Sequence, residues 1–425
     1  MTIDTLRADH TSVAGYPVRT TPFLEDMAAR GVTFDQAYSH SSTTAPSHAS
    51  IFTGLLPIQH RVQTNGVRLP KDFTTVAEEL RTAGWQTRGV VSVPSLFLGA
   101  RLAAGFEDFD PRDTVAPDDS YRKATDTIDV AVDWLANGRR EGDPFFLWVH
   151  LYDPHRSMDA PDEHVEAVTP IDATEEKRRM RALRYQNVRL RKRGLHEKTL
   201  AYDAEIHYAD AELRRLYDFA RQSDAARDTL WVFTADHGQG LNTHGWFGHH
   251  VQIYNEQLHV PLIFVFPNDW QAGRRVSDHF ATHVDLTPTL LEILGLDAVQ
   301  QPAPITGVSL APLFEDDPVW NRTTVFSERR MVLRPSELKT NEGGVRQSLQ
   351  TRTRKYLLFS GGPDEYYHLD VDPYEQNNVI DRADAEALRL RDLLVDLATS
   401  LTGTASAEEV SEEDLARLRA LGYVQ

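Results

Sequence analysis

Pro144-Phe-Phe-Leu-Trp-Val-His-Leu151 is a run of apolar side chains broken by one imidazole. A strand with one wet face alternates apolar and polar residues. This one does not, so both faces are expected inside, as in a parallel sheet covered by helices. Leu230–Thr234 and Leu262–Phe266 read the same way, and Thr87–Val93 is β-branched. Residues 1–10 read as the end of a short strand entering a loop. Helical periods lie between the strands: Pro22–Arg30, stopped by Gly31 with Thr20 and Thr21 as caps, Thr75–Thr82 closed by Gly84, Thr125–Leu135 and Thr199–Phe219. Strands alternating with helices predict an α/β fold, a doubly wound and mostly parallel sheet sandwiched by helices. Near Gln300 the pattern changes. The Pro-rich Gln301–Ile305 leads to shorter strands, Thr324–Ser327, Lys355–Phe359 and Tyr366–Leu369, and to helices near 383–400 and 411–421. The expected organisation is a large α/β domain over residues 1–300 and a smaller C-terminal α+β subdomain over 301–425, with a small antiparallel sheet and terminal helices.

Composition removes several classes of function. The 425 residues include no cysteine, which excludes disulfides, thiolate metal sites and a cysteine nucleophile. Any metal must be held by carboxylates, imidazoles and hydroxyls. A net charge of −18 argues against a nucleic-acid partner. The longest apolar runs, Phe145–Tyr152 and Val260–Phe266, are far shorter than the ~20 residues that span a bilayer, so no integral membrane segment is expected. No basic segment followed by an apolar one precedes the fold, and the expected location is cytoplasmic. Only Met1-Thr-Ile stands before Asp4, so a start upstream of Met1 stays open. Oligomeric state is not legible.

Ser42-Thr-Thr-Ala-Pro-Ser-His-Ala-Ser-Ile-Phe-Thr-Gly54 reads as a hydroxyl at the mouth of a helix. Pro46 suits the first turn, Ala49, Ile51 and Phe52 form an apolar face, and Gly54 ends the helix. Thr44 then sits where unpaired N–H groups and the positive end of the helix dipole converge, a setting that stabilises an alkoxide and attracts anions. Taken alone, this is also what a plain threonine cap looks like. Other polar residues fall at the same place. In doubly wound sheets the ligand sits at the carboxyl ends of the strands. Asp4 follows the first strand; His150, Asp153 and His155 follow Phe145–Val149; Asp236 and His237 follow Leu230–Thr234; His244, His249 and His250 lie just beyond. Two aspartates, an imidazole and a hydroxyl make an oxygen-rich site suited to a divalent metal: Mg, Mn, Ca or Zn.

These stretches resemble the sulfatase family of the alkaline phosphatase superfamily. The resemblance rests on Thr2-Ile-Asp-Thr-Leu-Arg-Ala-Asp-His10, Thr43-Thr-Ala-Pro-Ser-His-Ala-Ser-Ile-Phe-Thr-Gly54, Tyr152-Asp-Pro-His155 and Thr234-Ala-Asp-His-Gly-Gln-Gly240. Tyr254–Leu262, Tyr367-His-Leu-Asp-Val-Asp-Pro373 and Leu418-Arg-Ala-Leu-Gly-Tyr-Val424 also fit, in the family's order. The resemblance implies a metal bound by Asp4, Asp236 and His237, with the Thr44 oxygen as nucleophile and further ligand. It also implies that Asn65, His155 and His244 or His249 surround the transferred group as donors or general acids.

The departures from the family pattern decide the expected chemistry. Sulfatases carry Cys or Ser at the position of Thr44 and convert it to formylglycine, which threonine cannot become. His48 replaces the arginine that supports that aldehyde, and Thr5 stands where many sulfatases place a second aspartate on the metal. Relatives that act on phosphorus use a plain threonine alkoxide, and water at phosphorus releases a phosphothreonine. The expected function is therefore metal-dependent hydrolysis of a small anionic ester, with Thr44 attacking a phosphodiester, phosphomonoester or phosphonate centre. Two alternatives remain: a sulfuric ester hydrolase working without formylglycine, and a phospho-group transferase of the phosphoethanolamine-transferase kind. His48 reads either as a contact of Thr44 Oγ or as a support for its helix. A second metal at Asp153, His155 and His249 stays open, and His60 and His250 read as structural or surface residues. Between Lys177 and Arg193 stand nine Lys or Arg residues, either a solvated face or a lid that draws an anion in.

Overall fold

The computed structural model describes residues 1–110, 121–155, 158–185, 195–222, 228–315, 320–331 and 344–401. Its centre is an eight-stranded sheet in the order Arg274–Val276, Val32–Phe34, Leu262–Val265, Trp231–Ala235, Thr2–Ile3, Phe145–Leu151, Gln86–Val91 and Asp108–Phe109. The first strand is only two residues long, and both are buried between parallel partners. Ile3 lies opposite Leu151 on one side and Ala235 on the other. That register brings Asp4, Tyr152 and Asp236 out of the sheet at one edge, side by side. The apolar run at 145–151 is thus the strand whose end sets the depth of the site.

One strand departs from the expectation. Leu262–Val265 runs antiparallel to both its neighbours, Trp231–Ala235 and Val32–Phe34. A parallel neighbour needs a crossover, usually a long helix. Between Ala235 and Leu262 the chain makes only the hairpin Gly240–Leu241 with Phe247–Gly248 and the four-residue helix Asn255–Leu258, so it returns in the reverse direction. A short buried run reads the same in either direction, which is why its sequence cannot show the reversal.

Helices flank the sheet. Leu195–Gln222 packs against Pro22–Arg30, Ala124–Asp133 and Asp162–Val168, while Thr44–Thr53 packs against Leu286–Ile293 and Val76–Thr82. Thr75 caps the last of these through a capping box with Glu78. At Pro22–Arg30 the expected threonine caps are not the ones used. Thr21 makes no side-chain cap bond; instead the Asp210 carboxylate, from the long helix, accepts from Phe23 N–H at 2.7 Å and Leu24 N–H at 3.0 Å. A cap supplied by residue 210 leaves no local signal. Under the sheet's active edge, Trp148 meets Phe52, Phe97 and Phe106 ring to ring, joining strand and helix in one core.

The C-terminal part is a four-stranded antiparallel sheet, Val325–Met331, Gly344–Gln350, Arg354–Phe359 and Glu365–His368, covered by Ala385–Leu401. Gly344–Gln350 carries no apolar run to announce it; its polar Gln347 bonds Glu328 across the ladder. The expected helix near 411–421 lies outside the described residues. Leu349, Tyr366, Leu390 and Leu394 of this sheet and helix pack on Leu56, Ile58 and Val284. A backbone seam adds to that packing. Glu328 N–H donates to the His40 carbonyl at 2.8 Å, His40 Nδ1 donates to the Phe326 carbonyl, and Ser327 Oγ bonds the Ser39 carbonyl at 3.1 Å. The small sheet therefore anchors the segment that leads into the Thr44 helix. Among the described residues, no helix is long and apolar enough to cross a membrane.

Candidate active site

Thr44 is the first residue of the helix Thr44–Thr53, with extended Thr43 before it and Gly54 closing it at φ 71°. That left-handed C-cap favours glycine. The whole helix is buried. Asn65 Oδ1 accepts from Ala45 N–H at 2.8 Å, so this amide closes the first turn and fixes the direction in which Thr44 leaves it. Thr44 Oγ lies 3.3 Å from His237 Nε2.

His237 owes its orientation to its neighbours. Its Nδ1 donates to the Gly238 carbonyl at 2.9 Å, which leaves the Nε2 lone pair facing Thr44 and the carboxylates. Gly238 itself is required by packing, because a Cβ there would stand 2.3 Å from the Glu256 carbonyl oxygen. Asp236 Oδ1 accepts from Thr5 N–H at 3.1 Å and His237 N–H at 2.8 Å. Thr5 holds φ 57° to aim that N–H, an unusual conformation for a β-branched residue. Asp236 Oδ2 has no hydrogen-bond partner among the described residues and lies 3.5 Å from His237 Nε2. Asp4 Oδ1 lies 4.0 Å from the same nitrogen. All four side chains are fully buried. Burial opposes ionisation of Asp236, yet the imidazoles of His237, His48 and His150 and the Thr5 N–H overcome it and hold the carboxyl below its usual range.

Two buried carboxylates, an imidazole lone pair and a hydroxyl converging at one place are the donor set of a divalent metal. Asp4, Asp236, His237 and Thr44 would hold it.

The other candidate residues take different places. His48 donates Nδ1–H to the Thr44 carbonyl at 2.9 Å, so it supports the helix rather than contacting Oγ. His155 and His249 meet Nε2 to Nε2 at 3.1 Å, and His249 Nδ1 bonds Gln239 Oε1 at 2.8 Å. The His249 ring lies 4.7 Å from that of His237, which brings the pair beside Thr44. His244 is held apart from this group. Its Nδ1 bonds Glu256 at 2.9 Å, its Nε2 bonds the Glu375 carbonyl at 3.0 Å, and its ring stacks on Tyr254. Burial would lower the His244 pKa, but Glu256 and Glu375 raise it above the ordinary value. His60 bonds Ser50 Oγ and Val62 N–H, and half-buried His250 clasps the Ser42 carbonyl through its main chain. Of the basic segment, Lys177, Arg178 and Arg181 are exposed, whereas Arg179 is buried against Asp203 at 3.4 Å; residues 186–193 lie outside the described residues.

Two supporting residues carried little legible signal. Arg7 is fully buried, holds Asp9 through two bonds of 2.8 Å and touches Glu256 and the Gln239 carbonyl, which steadies the residue that orients His249. Ser47 Oγ donates to the Asp236 carbonyl and meets Ser39 Oγ at 2.7 Å. Only an arginine flanked by a carboxylate two residues on hinted at the first.

Comparison with known proteins bears on this geometry directly. The family model described as Sulfatase matches residues 1–296. The chain belongs to the sulfatase family. A second model, the C-terminal region of N-sulphoglucosamine sulphohydrolase, matches residues 242–400. This sulfatase-family chain is 28% identical to the choline-sulfatase of Rhizobium meliloti over 84% of its own length and 77% of the relative's. It is 26% identical to the Δ4,5-hexuronate-2-O-sulfatase of Bacteroides thetaiotaomicron over 84% and 78%. Among solved structures it is similar to the phosphonate monoester hydrolase of Agrobacterium radiobacter, with a TM-score of 0.77, 22% identity, and 94% and 95% of the two chains covered. The sulfatase-family enzymes are hydrolases that use a divalent metal, and the ligand set above is this chain's candidate for it.

Proposed function

We propose that this sulfatase-family hydrolase cleaves a small anionic ester at phosphorus, with Thr44 Oγ as the direct nucleophile. The observation that supports this reading most is the placement of Thr44. Its hydroxyl sits at a buried helix N-terminus, 3.3 Å from His237 Nε2 and next to two carboxylates, at the position where sulfatases carry the residue they oxidise. Threonine cannot supply the aldehyde, so a route that needs only an alkoxide fits it better.

Each residue then has a task. Asp4, Asp236, His237 and Thr44 would hold a divalent cation, which when bound would supply Lewis-acid charge. Asn65 and His48 hold the first turn so that Oγ points at the ester, and the helix dipole favours the alkoxide. Thr44 reacts as the alkoxide, its proton having passed to solvent; as Oγ bonds to phosphorus, the bond to the leaving oxygen breaks and that oxygen takes the proton held by the His155–His249 pair. The His155–His249 pair supports this step, because a proton held between two imidazoles can pass outward while Gln239 keeps His249 in place. Water then attacks phosphorus and releases Thr44.

The test compares an aryl sulfate, a phosphate monoester, a phosphodiester and a phosphonate, each with Mn, Mg, Ca or Zn, against Thr44→Ala. Turnover of a phosphorus ester that disappears in the variant is expected. Sulfate release that depends on Thr44 would make sulfate esters the substrate class, and transfer to an added alcohol in preference to water would make the enzyme a transferase.

A further inference from the structure

We infer that His150 Nε2 is a further ligand of the cation at this site, giving the metal a second imidazole. The inference rests on the metal-site reading above.

The tautomer of His150 follows from a chain of hydrogen bonds that starts two side chains away. His48 Nδ1 faces the Thr44 carbonyl at 2.9 Å, and a carbonyl only accepts, so Nδ1 carries a hydrogen. His48 is buried among the rings of Phe52, Phe97 and Trp148, where an uncompensated imidazolium is disfavoured, so its Nε2 holds a lone pair. That lone pair faces Thr2 Oγ at 3.3 Å, and we assign Thr2's single hydrogen to it, because giving that hydrogen to His150 would leave the buried His48 Nε2 lone pair without this donor. Thr2 Oγ is left with two acceptor positions. Trp148 Nε1–H, which only donates, fills one at 3.0 Å, and His150 Nδ1 lies 2.9 Å away for the other. His150 is therefore the Nδ1–H form, with a lone pair on Nε2.

That Nε2 is fully buried and has no hydrogen-bond partner among the described residues. It faces Asp4 Oδ2 at 3.6 Å, and a ring nitrogen of His150 also groups with His48 and an Asp236 oxygen, all within 4.8 Å of one another. At 3.6 Å the contact is too long for a hydrogen bond, and a lone pair against a carboxylate repels. Both features are relieved by one cation between the two, since metal–nitrogen and metal–oxygen bonds run about 2.0–2.2 Å each. Thr2 here acts as His237's Gly238 carbonyl does, orienting the ring from behind. His150 would thus supply as a nitrogen the further ligand that the aspartate replaced by Thr5 supplies as oxygen in the family pattern. Exchanging an oxygen donor for a nitrogen moves the preference away from Ca and Mg and toward Zn, Mn and other first-row metals.

The decisive measurement counts nitrogens in the native protein. Loaded with Cu(II) as a probe and examined by pulsed electron paramagnetic resonance, the site should show two coupled imidazoles. One imidazole overturns the inference. Calorimetric titration with Zn is the second arm, with thermal melts of the metal-free proteins as the fold control. His150→Phe should bind Zn roughly 10-fold or more weakly while Mg binding changes little. Unchanged Zn affinity in that variant, with binding abolished in Asp4→Asn, overturns the His150 assignment and leaves the metal site standing. Failure of the native protein to bind any cation overturns both.

Discussion

Two buried clusters of histidine and carboxylate lie within the same loop system, and they are built to opposite rules. Around His244 every ring nitrogen has a partner: Glu256 on one side, the Glu375 carbonyl on the other, with Lys355 on Glu375 at 2.7 Å. Its positive and negative groups neutralise one another internally. Around Asp236 the balance is left open. Asp236 Oδ2 and His150 Nε2 have no hydrogen-bond partners among the described residues. A cluster that satisfies itself holds a loop in place; one that does not is completed by what it binds. Histidine count and acidity do not distinguish them. Only the accounting of lone pairs does.

Thr44→Ala should break the comparison most sharply, lowering kcat by at least ~10³-fold with the melting temperature nearly unchanged, as checked by steady-state kinetics and calorimetry. An enzyme with native rates would return Thr44 to the role of a plain cap. Chelation should act only on the open cluster. Restoring metal at a hundred times its Kd should return about 2.7 kcal/mol of stability, read as a rise in melting temperature that Asp236→Asn does not show. His244→Gln should do the reverse. Removing one partner of a buried pair costs about 3 kcal/mol, so the variant should unfold at lower denaturant while metal affinity is retained. Lost metal binding with unchanged stability would place His244 in the open cluster after all.

A smaller effect concerns a third group. Asp153 and Glu205 are buried facing each other, and burial, then for Glu205 the neighbouring Asp153 charge, pushes both carboxyls up. The native state keeps protons there that the unfolded chain has released, so the pair's contribution is present below the ordinary carboxylate range and is lost as pH rises toward neutrality. Glu205→Gln removes that dependence. Melts from pH 5 to pH 8 should show the variant gaining on the native protein as pH rises; a constant difference would show that the pair does not titrate there.

Much of the site is legible in local pattern. Pro46 and Gly54 bracket a helix that places Thr44 at its start, and the apolar runs before His150 and Asp236 put those residues at strand ends. These signals survive because helix ends and strand periods are set within a few neighbouring residues. The direction of Leu262–Val265, the capping of Phe23 by Asp210, the seam between Phe326 and His40, and the separation of His244 from His249 were decided by tertiary structure alone. Each depends on partners far apart along the chain. The tautomer of His150 is the clearest instance: four residues from three segments, Thr2, His48, Trp148 and Thr44, fix where one proton sits, and their sequence positions carry no trace of it.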